Sequence, residues 1–167
     1  MRTFSLVLLW LAVGAALLSR SSTAPTPPEP AASAPALADL ETLEFWERGS
    51  YIQPISRTCL TRTSEGTRVE LELYHEEVYQ EQAGPELLEQ AKAILEEYGV
   101  GGWAGFSGHG PNVLDGSSFR LEAVLADGTR IEAHGENKFP PNYRDVMSAL
   151  DALTAAAQKN ALQQYDP

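Results

Sequence analysis

Six residues occur twice with almost the same spelling: Glu65-Gly66-Thr67-Arg68-Val69-Glu70 and, later, Asp127-Gly128-Thr129-Arg130-Ile131-Glu132. Each copy sits between two strand-like runs, and each is followed by a run of helical period. A tandem strand-strand-helix unit has this signature. The repeat constrains how the chain is built far more than what it does.

The individual elements follow from period and breakers. Thr67 to Tyr74 alternates, with Val69, Leu71 and Leu73 on one face and Arg68, Glu70 and Glu72 on the other. Leu43 to Glu47 reads as a short strand, and Ser50 to Thr63 as an irregular one in which Pro54 marks an edge or a bend. Ser118 to Leu125 and Thr129 to His134 are again strands. Leu87, Leu88, Ala91, Ile94, Leu95 and Tyr98 form one stripe, which predicts a helix over Pro85 to Tyr98 closed by Gly99. Val146, Met147, Leu150, Leu153 and Ala157 predict a second helix from Asn142 to about Gln163, with Asn142 and Asp145 resembling a starting cap.

Hairpin registers are set by which pairing keeps one face apolar. A two-residue turn at Asp127-Gly128 would oppose Leu125 to Arg130. A three-residue turn, Ala126-Asp127-Gly128, instead opposes Ala123 to Ile131 and Leu121 to Ala133, with Gly128 left-handed. The same rule applied to Ser64-Glu65-Gly66 opposes Cys59 to Leu71 and Thr61 to Val69. The expected fold is therefore α+β, a two-layer sandwich. Its antiparallel sheet of four to five strands carries two helices on one face and is built from a tandem ββα pseudo-repeat.

Composition bounds the rest. The chain has 167 residues and a formal net charge of −11, from 23 acidic and 12 basic side chains, so a nucleic-acid backbone or anionic lipid surface would repel it. The single cysteine, Cys59, is expected as a small buried hydrophobe. Met1-Arg2 followed by the apolar run Phe4 to Leu18 predicts an export signal over residues 1–24, with a single-pass signal anchor as the alternative. Two stretches of small residues, Ser22-Thr23-Ala24 and Ala36-Leu37-Ala38, compete as cleavage sites. Residues 25–38 are a proline- and alanine-rich spacer, and 39–167 are one domain with a core of its own. Contact with a membrane is expected only through an uncleaved N-terminal segment, and the domain is expected to be a monomer.

Gly99 to Ser117 is long for a connection inside a compact domain, and such loops often carry function. It holds seven glycines together with Trp103, Phe106, Ser107 and His109. Gly99-Val100-Gly101 imitates a dinucleotide fingerprint but follows a helix where a strand is required. Gly105-Phe106-Ser107-Gly108-His109 departs from the esterase elbow at its fifth position. Asn112 and Asp115 read as turn residues. His75, His109 and His134 lack the short ligand pairs of a zinc site, so no metal or cofactor is expected. Trp103 and Phe106 have two readings: a plug closing the open end of the core, or an aromatic anchor for a protein or glycan. Phe139 and Tyr143 are expected beside them.

The second unit also carries a resemblance. Trp103-Ala104-Gly105-Phe106, Leu114-Asp115-Gly116-Ser117-Ser118-Phe119, Asp127-Gly128-Thr129 and Gly135-Glu136-Asn137-Lys138-Phe139-Pro140-Pro141-Asn142-Tyr143 make one ordered set. It resembles a family of uncharacterised exported bacterial proteins, many of them lipoproteins, with the patterns W-x-G-F, L-D-G-x-S-F, D-G-x-x-I and N-x-F-P-x-N-Y. The resemblance covers roughly residues 85–155 and implies a bacterial cell-envelope setting, periplasmic, surface-held or secreted, with no known catalytic residues. No cysteine follows the apolar run, which departs from the lipoprotein pattern.

The function expected is a non-catalytic envelope module that binds a protein or small ligand through loop 99–117. Its candidate contacts are Trp103, Phe106, His109, Phe139 and Tyr143, and no catalytic residue is assigned. The alternative is a hydrolase using His109 with Ser107 or Asp115.

Overall fold

The two hairpins do not stand side by side; a single strand separates them. This computed structural model describes residues 36–49, 54–74, 77–111 and 116–165. In chain order its elements are β1 (Leu40–Arg48), β2 (Ile55–Thr63), β3 (Gly66–Leu73), β4 (Glu77–Ala83), α1 (Glu86–Glu97), β5 (Phe106–His109), β6 (Ser118–Leu125), β7 (Arg130–Glu136) and α2 (Tyr143–Tyr165), with a 3-10 turn at Val100–Trp103. The sheet runs β4-β3-β2-β1-β6-β7-β5. Every neighbouring pair is antiparallel except β5 with β7, which is parallel. The fold is α+β.

The described residues form seven strands, where four to five were expected from sequence. The two additions are edge strands. β4 was missed because its alternation is masked by polarity: Tyr79, Glu81 and Ala83 turn partly inward, while Val78, Gln80 and Gln82 face water. β5 is four residues cut from the glycine-rich loop, too short to show a period. β4 also separates β3 from α1, so the first unit is strand-strand-strand-helix in its observed order.

One face of the sheet is predominantly apolar, with Ser56, Thr58 and Thr67 the buried polar residues on it. Leu43, Phe45, Leu60, Val69, Leu71, Leu73, Phe119, Leu121, Ala123, Ile131 and Ala133 are all buried on it. They share a core with Leu88, Ala91 and Leu95 of α1 and with Val146, Met147, Leu150, Ala157 and Ala161 of α2. Each fully buried aliphatic side chain contributes roughly 1.5–3 kcal/mol by leaving water. Glu86 and Glu89 in the first turn of α1 complement the helix dipole, and Gly99 closes it at φ 71°. Asn142 does not cap α2 through its side chain as expected. It is left-handed, and its amide donates to the Tyr98 carbonyl at 3.1 Å, tying the start of α2 to the end of α1.

The β6–β7 register is the one derived from sequence, with Ala123 opposite Ile131 and Leu121 opposite Ala133. The β2–β3 register is not. Leu71 faces Thr58, Val69 faces Leu60, and Cys59 faces Glu70, one residue away from the expected pairing. Cys59 therefore leaves the core and lies half-buried on the opposite face, with its Sγ 3.7 Å from Thr61 Oγ1. On that face Arg57 donates to Glu44, Glu72 and Glu70 at 3.0, 3.0 and 3.2 Å.

Candidate functional site

Strand alternation alone places a polar array at the β5 end of the sheet. On β5, Phe106 and Gly108 turn toward the core, which leaves Ser107 and His109 on the polar face. The parallel pairing sets Ser107 beside His134 and His109 beside Glu136 of β7. β6 continues both rows, with Arg120 beside His134 and Ser118 beside Glu136. β1 extends them to Trp46 and Arg48. Two rows of four side chains thus cross four adjacent strands.

Each row is bonded at its β5–β7 end, and other polar side chains of the face tie Arg120 and Trp46. Ser107 Oγ and His134 Nε2 lie 3.0 Å apart, the hydroxyl donating when that nitrogen carries no proton. His109 Nδ1 is 3.4 Å from the Glu136 carboxylate. Arg120 donates to Glu122 at 3.1 Å, and Arg130 binds the other oxygen of the same carboxylate. Hydrogen bonding from Arg120 above all, supported by Arg130, holds Glu122 below the usual carboxylate range. The Arg48 guanidinium lies 4.6 Å over the Trp46 ring.

A cleft of about 770 Å³ opens over these residues, bordered by Trp46, Ser107, His109, Ser118, Arg120 and His134. Asn137 braces its far wall. Its left-handed backbone (φ 54°) lets its N–H donate to Ser117 O at 2.8 Å while Oδ1 accepts from Ser117 N at 2.9 Å. Its Nδ2 donates to the Pro111 carbonyl at 3.2 Å. One side chain thereby holds both described ends of the loop segment beside the cleft.

The five candidates from sequence divide between the two faces. Trp103, Phe106, Phe139 and Tyr143 gather around Phe119, with ring centroids at 6.2, 6.2, 5.7 and 4.7 Å from it. This cluster lies on the core side, beneath the cleft. Trp103 is only 2 % exposed, and its indole N–H donates to Pro141 O at 3.2 Å. It supports the wall from inside. His109 alone among the five stands on the polar face. His75, Asn112 and Asp115 lie outside the described residues.

Sequence reasoning named neither Trp46 nor Arg120 as a candidate, and it weighed His134 only as a zinc ligand. The alternation of β6 and β7 already put Arg120 and His134 on one face. What was not legible was β5, and the placement of β1 beside β6, which completes the rows. For the hydrolase alternative, the structure hydrogen-bonds Ser107 to His134 rather than to His109. Among the described residues, no carboxylate orients the second nitrogen of His134. Among them too, no group of three or more His, Cys, Asp or Glu side chains is arranged to hold a metal ion.

No protein-family model matches the chain, and no curated protein matches it.

Proposed function

We propose that this chain is an exported, non-catalytic bacterial envelope module that binds a small anionic ligand, a carboxylate or a phosphate ester. Loop 99–117 takes part through its β5 residues, as the candidate loop for recognition. The observation that carries the reading is the row Ser107, His134, Arg120 and Trp46, contributed by four neighbouring strands to one cleft. A hydroxyl, an imidazole and a guanidinium are donors suited to an anion, and an indole gives the ligand an apolar wall. Rigid strands hold them, so little ordering is needed on binding. The domain reads as a monomeric two-layer sandwich of tandem ββα units, each extended by an edge strand. The Ser107–His134 hydrogen bond is the one feature favouring a hydrolase, and it lacks an orienting acid among the described residues.

A thermal-stability screen of the chain against small dicarboxylates, inorganic phosphate and sugar phosphates tests the proposal, because a ligand selective for the folded state raises Tm. At least one anion is expected to raise Tm in a concentration-dependent way, and Arg120→Ala to abolish the rise. An unmoved Tm across the panel, or a rise that survives Arg120→Ala, would remove the reading.

A further inference from the structure

Three features of the cleft ask for more than a bare anion. Its volume of about 770 Å³ is that of a site for an organic molecule, which runs to roughly 300–1,000 Å³. Inorganic phosphate or acetate would leave most of that space to water. The second feature is Trp46, which ends the first row. The Arg48 guanidinium, 4.6 Å from the ring centroid, occupies one face of the indole, so a ligand has at most one face to use. The third is a carboxylate. Glu136 borders the cleft, between His109 and Ser118 on the neighbouring strands. A like charge there repels a bare anion, but an ionised carboxylate is an acceptor for hydroxyl donors.

The two rows divide these tasks. Neighbouring strands stand about 4.8 Å apart, so Arg120 lies one strand and His134 two strands from the indole. Arg120 gives one nitrogen to Glu122 at 3.1 Å, and its fork keeps further N–H groups for a ligand. The second row lies two residues along the strands, roughly 7 Å away. It offers the Ser118 hydroxyl, the Glu136 carboxylate and His109. A pyranose ring bearing one charged group has a counterpart for each part. Its axial C–H hydrogens form an apolar, weakly positive face that complements the negative face of an indole. Its charged group sits on the rim of the ring, and its hydroxyls both donate and accept. A nucleotide base is a poorer match, because among the described residues Trp46 is the one aromatic on the polar side of the cleft, and Phe119 lies buried beneath it.

We propose that the cleft binds an anionic sugar, a pyranose carrying a phosphate or a carboxylate. The ring lies on Trp46, the anionic group meets Arg120 and His134, and the hydroxyls reach Ser118 and Glu136. This rests on the anion reading of the cleft and adds to it the body of the ligand that carries the charge.

The test is calorimetric titration of the full chain at pH 7 with inorganic phosphate, acetate, glucose, glucose 6-phosphate, glucuronate and adenosine monophosphate. At least one of the two sugar anions is expected to bind about tenfold more tightly than its bare anion and than glucose. Trp46→Ala should weaken that sugar anion about tenfold and the bare anion no more than about twofold, and Trp46→Phe should recover most of the loss. Glu136→Gln should act in opposite directions, weakening the sugar anion about threefold while tightening the bare anion. A merely structural role for either side chain would move both ligands together. Failure is readable at two levels. A bare anion bound as tightly as its sugar, adenosine monophosphate bound more tightly than either sugar anion, or parallel losses for both ligands in the variants would overturn the sugar and leave the anion reading standing. No binding by any anion of the panel would overturn both. The two sugar arms separate sources: tight glucose 6-phosphate supports a phosphorylated sugar, and tight glucuronate supports an acid sugar.

Discussion

The β2–β3 and β6–β7 hairpins share Gly-Thr-Arg at their turns and fold through different turns. In the first, Thr63 pairs directly with Gly66, leaving a two-residue loop, Ser64-Glu65. In the second, Gly128 N donates to Leu125 O and Leu125 N to Thr129 O, enclosing Ala126-Asp127-Gly128. The difference lies in the flanking side chains. Asp127 is short enough to accept the Thr129 N–H at 2.9 Å, which closes a turn over its own backbone. Glu65 has one more methylene, and there the hydroxyl of Thr63 does the bonding, accepting from Glu65 N at 3.3 Å and donating to Gly66 O at 3.2 Å. Leu125, at the equivalent place in the second hairpin, has no hydroxyl to offer. A repeated sequence thus gives a repeated hairpin with an unrepeated register.

The regions beneath the hairpins differ as well, and the largest expected effect lies there. The core under β6–β7 is aromatic, built on Phe119 with Trp103 edge-on to it at an interplanar angle of 74°. Trp103→Ala should cost roughly 3–5 kcal/mol in urea denaturation, the range for deleting a large buried aromatic. A loss below about 0.5 kcal/mol, typical of exposed positions, would return Trp103 to the surface as a binding anchor.

Next come the two turn glycines, whose ranking tests the comparison directly. Gly66 has φ 129°, and a Cβ there would collide with the carbonyl oxygen of Ala83 on the neighbouring β4. Gly66→Ala is expected to lose roughly 2–3 kcal/mol. Gly128 has φ 85° with open space around it, so Gly128→Ala meets only the left-handed penalty, about 1 kcal/mol. Denaturant midpoints of the two variants decide the matter. The reverse order would mean that β4 does not crowd the first turn and that both hairpins share the wider loop.

The period-driven parts of the fold were legible. α1, α2, β3, β6 and β7 were placed from their stripes, and Gly128 was placed from the requirement that one face stay apolar. Illegible parts share a physical cause, namely that what defines them lies outside their own segment. β4 takes its inward face from pairing with β3, and β5 takes its identity from β7. The position of β1 between the hairpins depends on long-range pairing that no local period encodes. The cleft inherits this gap. Its side chains alternate visibly on β6 and β7, but its rows exist only once β5 and β1 are in place.

The smallest effect tests the register slip itself. Strand side chains have a period of two, so a shift of one residue exchanges the two faces. With the expected register, Cys59 would pack in the core, and a serine in its place would bury an unpaired hydroxyl at a cost of roughly 1–3 kcal/mol. In the observed register Cys59 is half-buried between polar neighbours, with Thr61 beside it and Glu70 opposite. A serine hydroxyl would find Thr61 as a partner. Cys59→Ser should therefore change stability by no more than about 0.5 kcal/mol. The neighbouring Leu60→Ala, at a position with no exposed surface, should lose roughly 2–5 kcal/mol. A large loss at Cys59 with a small one at Leu60 would restore the three-residue turn in the first hairpin. It would also turn Arg57 away from the face on which Glu44, Glu70 and Glu72 remain, and the contrast between the two turns would then disappear.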